Sequence, residues 1–212
     1  MAIICGDIHG NVEKVKAFLA HKPDEEHVAL GDYLDSYTES VGRQIETLQL
    51  LMSSNAVLLW GNHDLHYLKT PLFQFPGFNS DHAQEYQEIL ETNKNRFKAA
   101  YVVDNWLCTH SGVNRILAKD LSVYELESLF CEEWQLYLLD RGRGYRFKSI
   151  FTFDFMGEGS LAPDSIKQVF GHDELSDAAF INPNCVSIAC SDPGTVWIFD
   201  TATNEIKNIA ED

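Results

Sequence analysis

The stretch Ile3-Ile4-Cys5-Gly6-Asp7-Ile8-His9-Gly10-Asn11 runs from apolar residues into a glycine, an aspartate, a histidine and a second glycine. The apolar part predicts a short buried strand, and Asp7 and His9 follow at its end, where loop side chains can turn toward one point. A carboxylate and an imidazole at such a point suit a divalent cation. Gly6 and Gly10 let the backbone pass close to that point, because they have no Cβ. On its own, this pattern is more typical of an ordinary surface loop than of a metal site.

The same arrangement recurs at four later points, where an apolar run ends and a residue able to bind metal follows at once. These points are Gly31-Asp32, Gly61-Asn62-His63-Asp64, His110-Ser111-Gly112 and Gly171-His172-Asp173. In an α/β sheet, ligands bind beyond the carboxyl ends of the strands. Repetition on this scale predicts that six side chains meet at one edge, namely Asp7, His9, Asp32, Asn62, His110 and His172.

The composition indicates a single domain, spanning residues 1–212, that avoids anionic surfaces. The chain is 45% hydrophobic, and its 16 basic and 32 acidic residues give a net charge of −16. That charge argues against binding to duplex nucleic acid and against docking to an anionic membrane. No leader pattern and no apolar run near ~20 residues is found, so no membrane span is expected. The 5 cysteines form no Cys-x-x-Cys pair, and the expected location is cytoplasmic.

The spacing of apolar residues predicts alternating strands and helices in the first third of the chain. A helix is expected from residue 12, a second at about 40–53, and a strand at 56–60. Strands separated by helices in this way are typical of a parallel sheet in an α/β protein. The alternation breaks at residues 65–80, an apolar loop that predicts either a connection packed on the core or the wall of a binding cleft.

The rest of the chain predicts a mixture of helices and strands. The expected elements are a helix within 81–98, a hairpin with the turn Asp104-Asn105, a helix from 122 to about 139, and strands at 185–190 and 195–200. The turn sequence Ser191-Asp192-Pro193-Gly194 separates the last two strands.

The six clustered side chains can serve a pair of divalent cations. Two such cations ~3.5–4 Å apart hold a phosphoryl oxygen between them and supply a hydroxide near neutral pH. Asp32 is the expected bridging carboxylate, because it ends the strand that should be central. The first cation would take Asp7 and His9, and the second would take Asn62, His110 and His172. Mixed nitrogen and oxygen ligands favour manganese, iron or zinc over magnesium alone.

His63 follows Asn62 directly, so its ring is expected to point away from the cations and to stay near the substrate. A histidine there can protonate the leaving alkoxide, provided that a carboxylate orients it and keeps it protonated. Asp35, three residues beyond Asp32, is the expected partner, and Asp64 is the alternative. The remaining histidines are expected at the surface, namely His21, His27, His66 and His82.

At these residues the sequence resembles the calcineurin-like metallophosphoesterases, and most of all the branch with serine/threonine phosphoprotein phosphatases and symmetrical dinucleoside tetraphosphatases. The matching motifs are GDIHG (6–10), GDYLD (31–35), GNHD (61–64), THSG (109–112) and GHD (171–173), in the family's order. The resemblance implies an α/β fold of two packed mixed β-sheets with helices outside. Position by position, it implies the same six metal ligands and the pair of His63 and Asp35 as acid and partner.

One position departs from the family pattern. The branch usually follows the second aspartate of GDxxD with an arginine that grips phosphate, and here Ser36 stands in that place. A hydroxyl does not replace a bidentate guanidinium. Because the family places a second phosphate-binding arginine between the fourth and fifth motifs, Arg141 and Arg143 are the expected substrate-binding residues. Arg43 and Arg115 are further candidates.

The expected function is that of an enzyme, a dinuclear metal-dependent phosphoesterase in which a metal-bridging hydroxide attacks phosphorus. Hydrolysis of phosphate monoesters is favoured, on a small phosphorylated molecule or a phosphoprotein, because one leaving-group acid beside a tight dimetal site suits it. The alternative substrate is a phosphodiester or a pyrophosphate, such as a dinucleoside polyphosphate. A non-catalytic scaffold is the competing class, and the presence of all six ligand positions argues against it.

Overall fold

The fold is known from a computed structural model, which describes residues 1–69, 74–118, 120–133, 149–155, 161, 165–173, 175, 177–189, 192 and 194–210. The chain begins with β1 (Ala2–Cys5), α1 (Val12–Ala20), β2 (Glu26–Ala29), α2 (Val41–Ser53) and β3 (Val57–Leu59). This is the alternation predicted from the sequence, and β1, β2 and β3 are neighbouring parallel strands. The side chains of Asn11 and Ser40 accept hydrogen bonds from the first turns of α1 and α2, which sets where these helices begin.

The later elements run from residue 62 to residue 208, and the chain between α6 and β7 is described only in part. They are α3 (Asn62–Leu65), α4 (Ala83–Asn93), β4 (Phe97–Lys98), β5 (Ala100–Val103), β6 (Trp106–Thr109), α5 (Arg115–Ala118), α6 (Val123–Glu133), β7 (Gln168–Phe170), β8 (Ala179–Asn182), β9 (Cys185–Ser187), β10 (Trp197–Asp200) and β11 (Glu205–Asn208). A single 3₁₀ turn at Lys94–Arg96 joins α4 to β4.

The strands form two mixed sheets. The first has the order β11-β10-β1-β2-β3-β4, in which β1 to β4 are parallel and β10 is antiparallel to both of its neighbours. The second has the order β5-β6-β7-β9-β8, in which β6, β7 and β9 are parallel and the outer strands are antiparallel. Two packed mixed sheets with helices outside confirm the α/β fold class that the resemblance implied.

The alternation of side chains in β1 explains why this strand is apolar throughout. Ala2 and Ile4 belong to a buried cluster that includes residues of both sheets, whereas Ile3 and Cys5 pack in the cluster beneath the helices. Successive side chains of a strand point to opposite faces, and here both faces are covered. The same arrangement holds in β2, where Val28 faces the second sheet and Ala29 faces the helices. The strands that lead to the candidate site are therefore fixed from both sides.

Around β4, the predicted helix is shorter than expected, and the predicted hairpin is found. The helix expected within 81–98 ends at Asn93, because Phe97 and Lys98 instead pair with β3 as a short parallel strand. Phe97 also stacks on Trp60, with ring centroids 4.2 Å apart, which holds this segment against the sheet. The predicted hairpin is confirmed, and Asp104 and Asn105 turn it with φ of 48° and 65°, as a two-residue hairpin turn requires.

The other predicted elements are found with altered bounds. The helix expected from 122 to about 139 begins at Val123 and is described to Glu133, and residues 134–148 lie outside the described residues. The two late strands are β9 and β10, which belong to different sheets, and β11 was not predicted. Within the described ranges, the helices are too short or too polar to cross a membrane.

Candidate metal centre

The loops that follow β1 and β2 are joined through their backbones. The N–H groups of Ile8 and His9 donate hydrogen bonds to the carbonyl oxygen of Asp32, at 3.0 and 2.7 Å. His9 and Asp32 both adopt positive φ, of 45° and 52°, which turns their side chains toward each other rather than along the strands. As a result, His9 Nε2 lies 3.9 Å from Asp32 Oδ2.

The second sheet brings two histidines to the same place. His110 follows β6 and His172 follows β7, and the backbone N–H of His172 donates to Asp7 Oδ2 at 3.0 Å. His110 Nε2 lies 3.4 Å from Asp32 Oδ2. The side-chain oxygen of Asn62, at the start of α3, lies 2.7 Å from His110 Nε2 and 3.0 Å from His172 Nδ1.

The structure thus brings all six expected ligand residues together, and Asp32 is common to two groups. One group is Asp7, His9 and Asp32, the other is Asp32, His110 and His172, and within each the ligand atoms lie within 4.8 Å of one another. The centre lies where the carboxyl ends of β1 and β2 meet those of β6 and β7. The expectation of one sheet edge was too simple, because the ligands come from two sheets.

The surroundings of His9 and His110 suit metal binding at Nε2. His9 Nδ1 lies 2.8 Å from the carbonyl oxygen of Leu34, and His110 Nδ1 lies 2.9 Å from that of Leu30. Each Nδ1 therefore carries the ring proton and donates a hydrogen bond to a carbonyl oxygen. This leaves the lone pair of Nε2 for a cation. With the carboxylates and the amide oxygen, this donor set fits divalent ions that accept mixed nitrogen and oxygen ligands.

The charges of the centre perturb one another strongly because the side chains are buried. Although burial disfavours its charged form, Asp32 keeps its pKa below the usual value, since His110 and other histidines surround it. Burial also opposes protonation of His110, but the Asp32 carboxylate outweighs it and raises the pKa of His110 to about 9. Burial, with help from the charge of His110, lowers the pKa of His172 to about 4. A cation at this centre competes with the proton of His110.

Asp64, the alternative partner for His63, has a different place. Its carboxylate accepts hydrogen bonds from the backbone N–H groups of Asp32 and Tyr33, both at 2.9 Å, and of Gly61 at 3.0 Å. Burial and the nearby Asp32 carboxylate raise the pKa of Asp64, while these N–H donors oppose that rise. Asp64 therefore joins the loop after β2 to the loop after β3.

Asp35 is the residue that contacts His63. His63 Nδ1 lies 2.9 Å from Asp35 Oδ2, and the side chain of Asp35 is fully buried whereas that of His63 is 18% exposed. Burial works against the charge of both groups, yet their contact raises the pKa of His63 and lowers the pKa of Asp35. The two side chains therefore form a charged pair with His63 on the open side.

The expectation that His27 and His66 lie at the surface is wrong. His27 is buried edge-on against Phe18, and His66 is buried with its Nε2 2.6 Å from Asp35 Oδ2. His66 was missed, although it stands three residues after His63 and such pairs share one face of a helical turn. His21 and His82 are partly exposed.

A cavity of about 400 Å³ opens over the centre. It is lined by Asp7, Ile8, His9, Asn11, Lys14, Asp32, Asp35, Ser36, Tyr37, Thr38, Glu39, His63, His172 and Asp192. Ser36 Oγ accepts hydrogen bonds from the N–H groups of Thr38 and Glu39, at 3.3 and 3.0 Å, so it shapes the rim of the cavity. Tyr37 is 84% exposed beside it.

The described lining of the cavity contains no arginine. Arg141 and Arg143 lie outside the described residues. Arg43 does not line the cavity and is held by carboxylates, with its Nε 2.7 Å from the lining residue Glu39 and its guanidinium 3.6 Å from Glu13. Lys14 lines the cavity, but its Nζ donates to the carbonyl oxygen of Asp7 at 2.6 Å.

The two sheets and the ligand cluster define an α/β protein with a candidate metal centre, and comparison with known proteins gives the family. Residues 2–199 match the family model described as calcineurin-like phosphoesterase, so the chain belongs to that family of metal-dependent phosphoester hydrolases. A search of curated proteins gave no significant match.

Two solved structures share the fold. One is a protein serine/threonine phosphatase from Saccharomyces cerevisiae with similarity to human phosphatase PP5, at 15% identity and a TM-score of 0.57, with 89% of this chain and 66% of that chain covered. The other is a metallophosphoesterase from Sphaerobacter thermophilus, at 15% identity and a TM-score of 0.52, with 98% and 86% covered. At such identities the likeness shows the fold.

Proposed function

We propose that this protein is a dinuclear metal-dependent phosphoesterase that hydrolyses phosphate monoesters. The observation that carries the proposal is that Asp32 belongs to both ligand groups, so that one carboxylate can join two cation sites. The first site would consist of Asp7, His9 and Asp32, and the second of Asp32, Asn62, His110 and His172. The donor set favours manganese or iron, with zinc as the alternative.

The residues around the centre have separate tasks in this proposal. Bound cations supply Lewis acidity to the phosphoryl group and a nucleophile near neutral pH. Asp35 holds the ring of His63 through Nδ1, which leaves Nε2 as the atom that gives its proton to the leaving oxygen. Against the effect of burial, the contact with Asp35 raises the pKa of His63, which favours the protonated ring, and its partial exposure lets a substrate reach it.

The cavity favours a small phosphorylated substrate. Its volume of about 400 Å³ is at the lower end of small-molecule pockets. Asp192 and Glu39 stand in its wall, and because Arg43 pairs with Glu39, a leaving group with further phosphates meets like charge mainly at Asp192. This disfavours the alternative substrate, a dinucleoside polyphosphate, and favours a leaving group without extra negative charge. A phosphoprotein side chain remains within the proposed monoester class.

The test of the function uses metal-free protein reconstituted with Mn²⁺ and assayed on an aryl phosphate, with bound metal measured in parallel. We expect turnover by the wild type, and loss of both bound metals and activity in Asp32→Ala. Asp24→Ala removes an exposed aspartate away from the cavity and is the matched control. Full metal binding by Asp32→Ala would refute the shared ligand, and a wild type without turnover would support the scaffold.

A panel of substrates at one metal concentration separates the monoester from the alternatives. We expect phosphate monoesters to be hydrolysed faster than bis-aryl phosphodiesters and dinucleoside tetraphosphates. If a dinucleoside tetraphosphate gives the higher kcat/KM, the alternative replaces the proposal.

The arginine that binds phosphate is proposed to be Arg143 or Arg141. Arg143→Ala should then raise KM for small phosphates, whereas Arg96→Ala should leave KM unchanged, because Arg96 donates to the carbonyl oxygen of Ser54 and does not line the cavity. An unchanged KM for Arg143→Ala removes it from the site.

The location is proposed to be the cytoplasm. Cys5 and Cys108 are buried thiols without a disulfide, and burial raises the pKa of both, so they stay unreactive. Such thiols are typical of a reducing compartment.

A further inference from the structure

A second histidine stands behind the pair of His63 and Asp35. His66 lies one helical turn after His63, and its ring centroid is 5.6 Å from that of His63. It is only 1% exposed and does not line the cavity. Its Nε2 lies 2.6 Å from Asp35 Oδ2, the same oxygen that contacts His63. The contact is short and bent, and it places Nε2 against the carboxylate at a position that does not line the cavity.

The backbone assigns the tautomer of His66. The N–H of Phe75 donates a hydrogen bond to His66 Nδ1 at 3.2 Å, so this nitrogen carries a lone pair. The proton of the neutral ring is therefore on Nε2, which faces Asp35. A metal held by Asp35, His63 and His66 would have to bind the lone pair of this Nε2. Because Nδ1 already accepts a hydrogen bond, neither ring nitrogen would then carry a proton, and the ring would be an imidazolate anion. The contact of Nε2 with Asp35 Oδ2 is thus short but bent, and it falls outside ordinary hydrogen-bond geometry.

The other oxygen of Asp35 is held as well. The hydroxyl of Tyr67 donates to Asp35 Oδ1 at 2.5 Å and itself accepts the N–H of Asn79 at 2.7 Å. Gly77 packs over the same carboxylate, since a Cβ there would lie 3.3 Å from Asp35 Cβ. The backbone N–H groups of Phe75 and Asn79, in one loop, therefore orient the side chains of His66 and Tyr67, which both contact Asp35. In the apolar loop, Phe78 packs partly buried against the core, whereas the ring centroid of Phe75 lies 5.9 Å from that of the cavity residue His63, so both expected roles have support.

From these contacts we propose that His66 is a positioning residue for leaving-group protonation. It fixes Asp35 Oδ2 so that this oxygen points at His63 Nδ1, and it does not touch the substrate. The proposal rests on the proposed role of His63 as the acid. The shared oxygen is what makes the coupling specific, because rotation of the Asp35 carboxyl group would break the contact with His63.

The first test compares His66→Phe and His66→Gln on two kinds of substrate. Phenylalanine keeps the ring that packs edge-on against Phe78 but has no donor for Asp35, whereas the amide nitrogen of glutamine can donate in place of Nε2. For His66→Phe we expect kcat on alkyl phosphates to fall by about 10- to 100-fold, with KM and metal content unchanged. Aryl phosphates, which need little protonation, should lose far less, and His66→Gln should recover most of the alkyl activity.

The second test asks whether His66 acts through His63. In a His63→Ala background, adding His66→Phe should cause no further loss of kcat, because the residue that His66 positions is already gone. An additive loss, an equal loss on alkyl and aryl substrates, or a fall in metal content for His66→Phe would each overturn the proposal and leave a structural role.

The third test reads the histidine directly and needs no turnover. In the zinc-loaded wild type, long-range ¹⁵N–¹H spectra of the imidazole rings should show His66 with its proton on Nε2. A proton on Nδ1 alone would overturn the proposal even if the variants fail to fold. If the wild type hydrolyses no phosphoester, the proposed function fails by itself, and the tautomer still reports whether His66 faces Asp35 as a donor.

Discussion

The carboxylate of Asp64 accepts the backbone N–H of Asp32 at 2.9 Å, and in this way a buried acid fixes the residue that both ligand groups share. A second hydrogen bond runs the other way between the two loops, because Asp32 Oδ1 accepts the backbone N–H of His63 at 2.9 Å. The loop after β2 and the turn after β3 are thus joined in both directions. Asp64 needs no metal for this task, since its partners are three backbone N–H groups.

Removal of the Asp64 carboxylate should therefore destabilise the fold itself. Asp64→Ala leaves the N–H groups of Asp32, Tyr33 and Gly61 buried without an acceptor, and we expect the free energy of unfolding to fall by about 3 kcal/mol or more. Urea denaturation of metal-free protein measures this loss. Asp24→Ala, at an exposed position, should stay within about 0.5 kcal/mol of wild type. Equal stabilities of the two variants would contradict the role assigned to Asp64.

His63→Ala should separate proton donation from metal binding. His63 contacts Asp35 and does not belong to either ligand group, so the metal content should remain that of the wild type. We expect kcat for alkyl phosphates to fall by ~10²–10⁴-fold, and kcat for aryl phosphates with good leaving groups to fall much less. The comparison of the two substrate classes under saturating metal is the measurement. A similar loss for both classes would count against His63 as the acid.

The strand ends could be predicted from the sequence because each is a local event. Asp7 and Asp32 follow β1 and β2 directly, and these strands pair in parallel from Ala2 to Cys5. The assignment of β6 and β7 to a second sheet could not be predicted in the same way. It depends on which strands pair over long distances, and His110 and His172 follow their strands equally well in either arrangement.

The features that sequence reasoning missed are set by tertiary contacts. The sequence predicts His66 as an exposed loop histidine, whereas in the structure it contacts Phe75, Phe78 and Asp35. The segment at Phe97 has helical neighbours, but pairing with β3 and stacking on Trp60 override that preference. In both cases a partner distant in the chain decides the structure, and the three-residue spacing of His63 and His66 indicates only that the two share a face.

The ion pair between Lys22 and Asp200, the last residue of β10, predicts a change of stability with pH. Lys22 Nζ lies 2.5 Å from Asp200 Oδ2, and Asp200 is buried while Lys22 is 40% exposed. Burial opposes the charge of Asp200, but Lys22 and backbone donors hold its pKa below 3.8. A pKa lowered by folding stabilises the protein above the unfolded value, and this contribution disappears as the pH falls through the lower folded value.

Lys22→Met should therefore lower the free energy of unfolding by about 1 kcal/mol at pH 7, a modest value because solvent screens the exposed lysine. The difference from wild type should shrink as the pH falls below 3.8. Lys16→Met removes the exposed pair with Glu13 and is the matched control, for which we expect almost no change at any pH. Thermal or urea unfolding at pH 7 and at several acidic pH values measures both. A constant difference for Lys22→Met across that range would contradict the assignment.

Two glycine variants test how closely the backbone approaches the shared ligand. A Cβ on Gly61 would lie 2.1 Å from both the backbone nitrogen and Oδ1 of Asp32, whereas a Cβ on Gly42, in α2, would meet nothing within 4 Å. Gly61→Ala must displace Asp32, because backbone atoms cannot move aside as a flexible side chain does.

We expect Gly61→Ala to weaken metal binding by about 10- to 100-fold, since the carboxylate common to both ligand groups is moved out of place. Gly42→Ala should leave metal affinity unchanged and raise the free energy of unfolding by up to about 0.5–1 kcal/mol, because alanine favours a helix more than glycine does. Metal titration of the two proteins, followed by urea denaturation, distinguishes the effects. If Gly61→Ala bound metal as tightly as Gly42→Ala, the backbone of Gly61 would not be what sets the position of Asp32, and the contact with Asp64 would have to hold that residue alone.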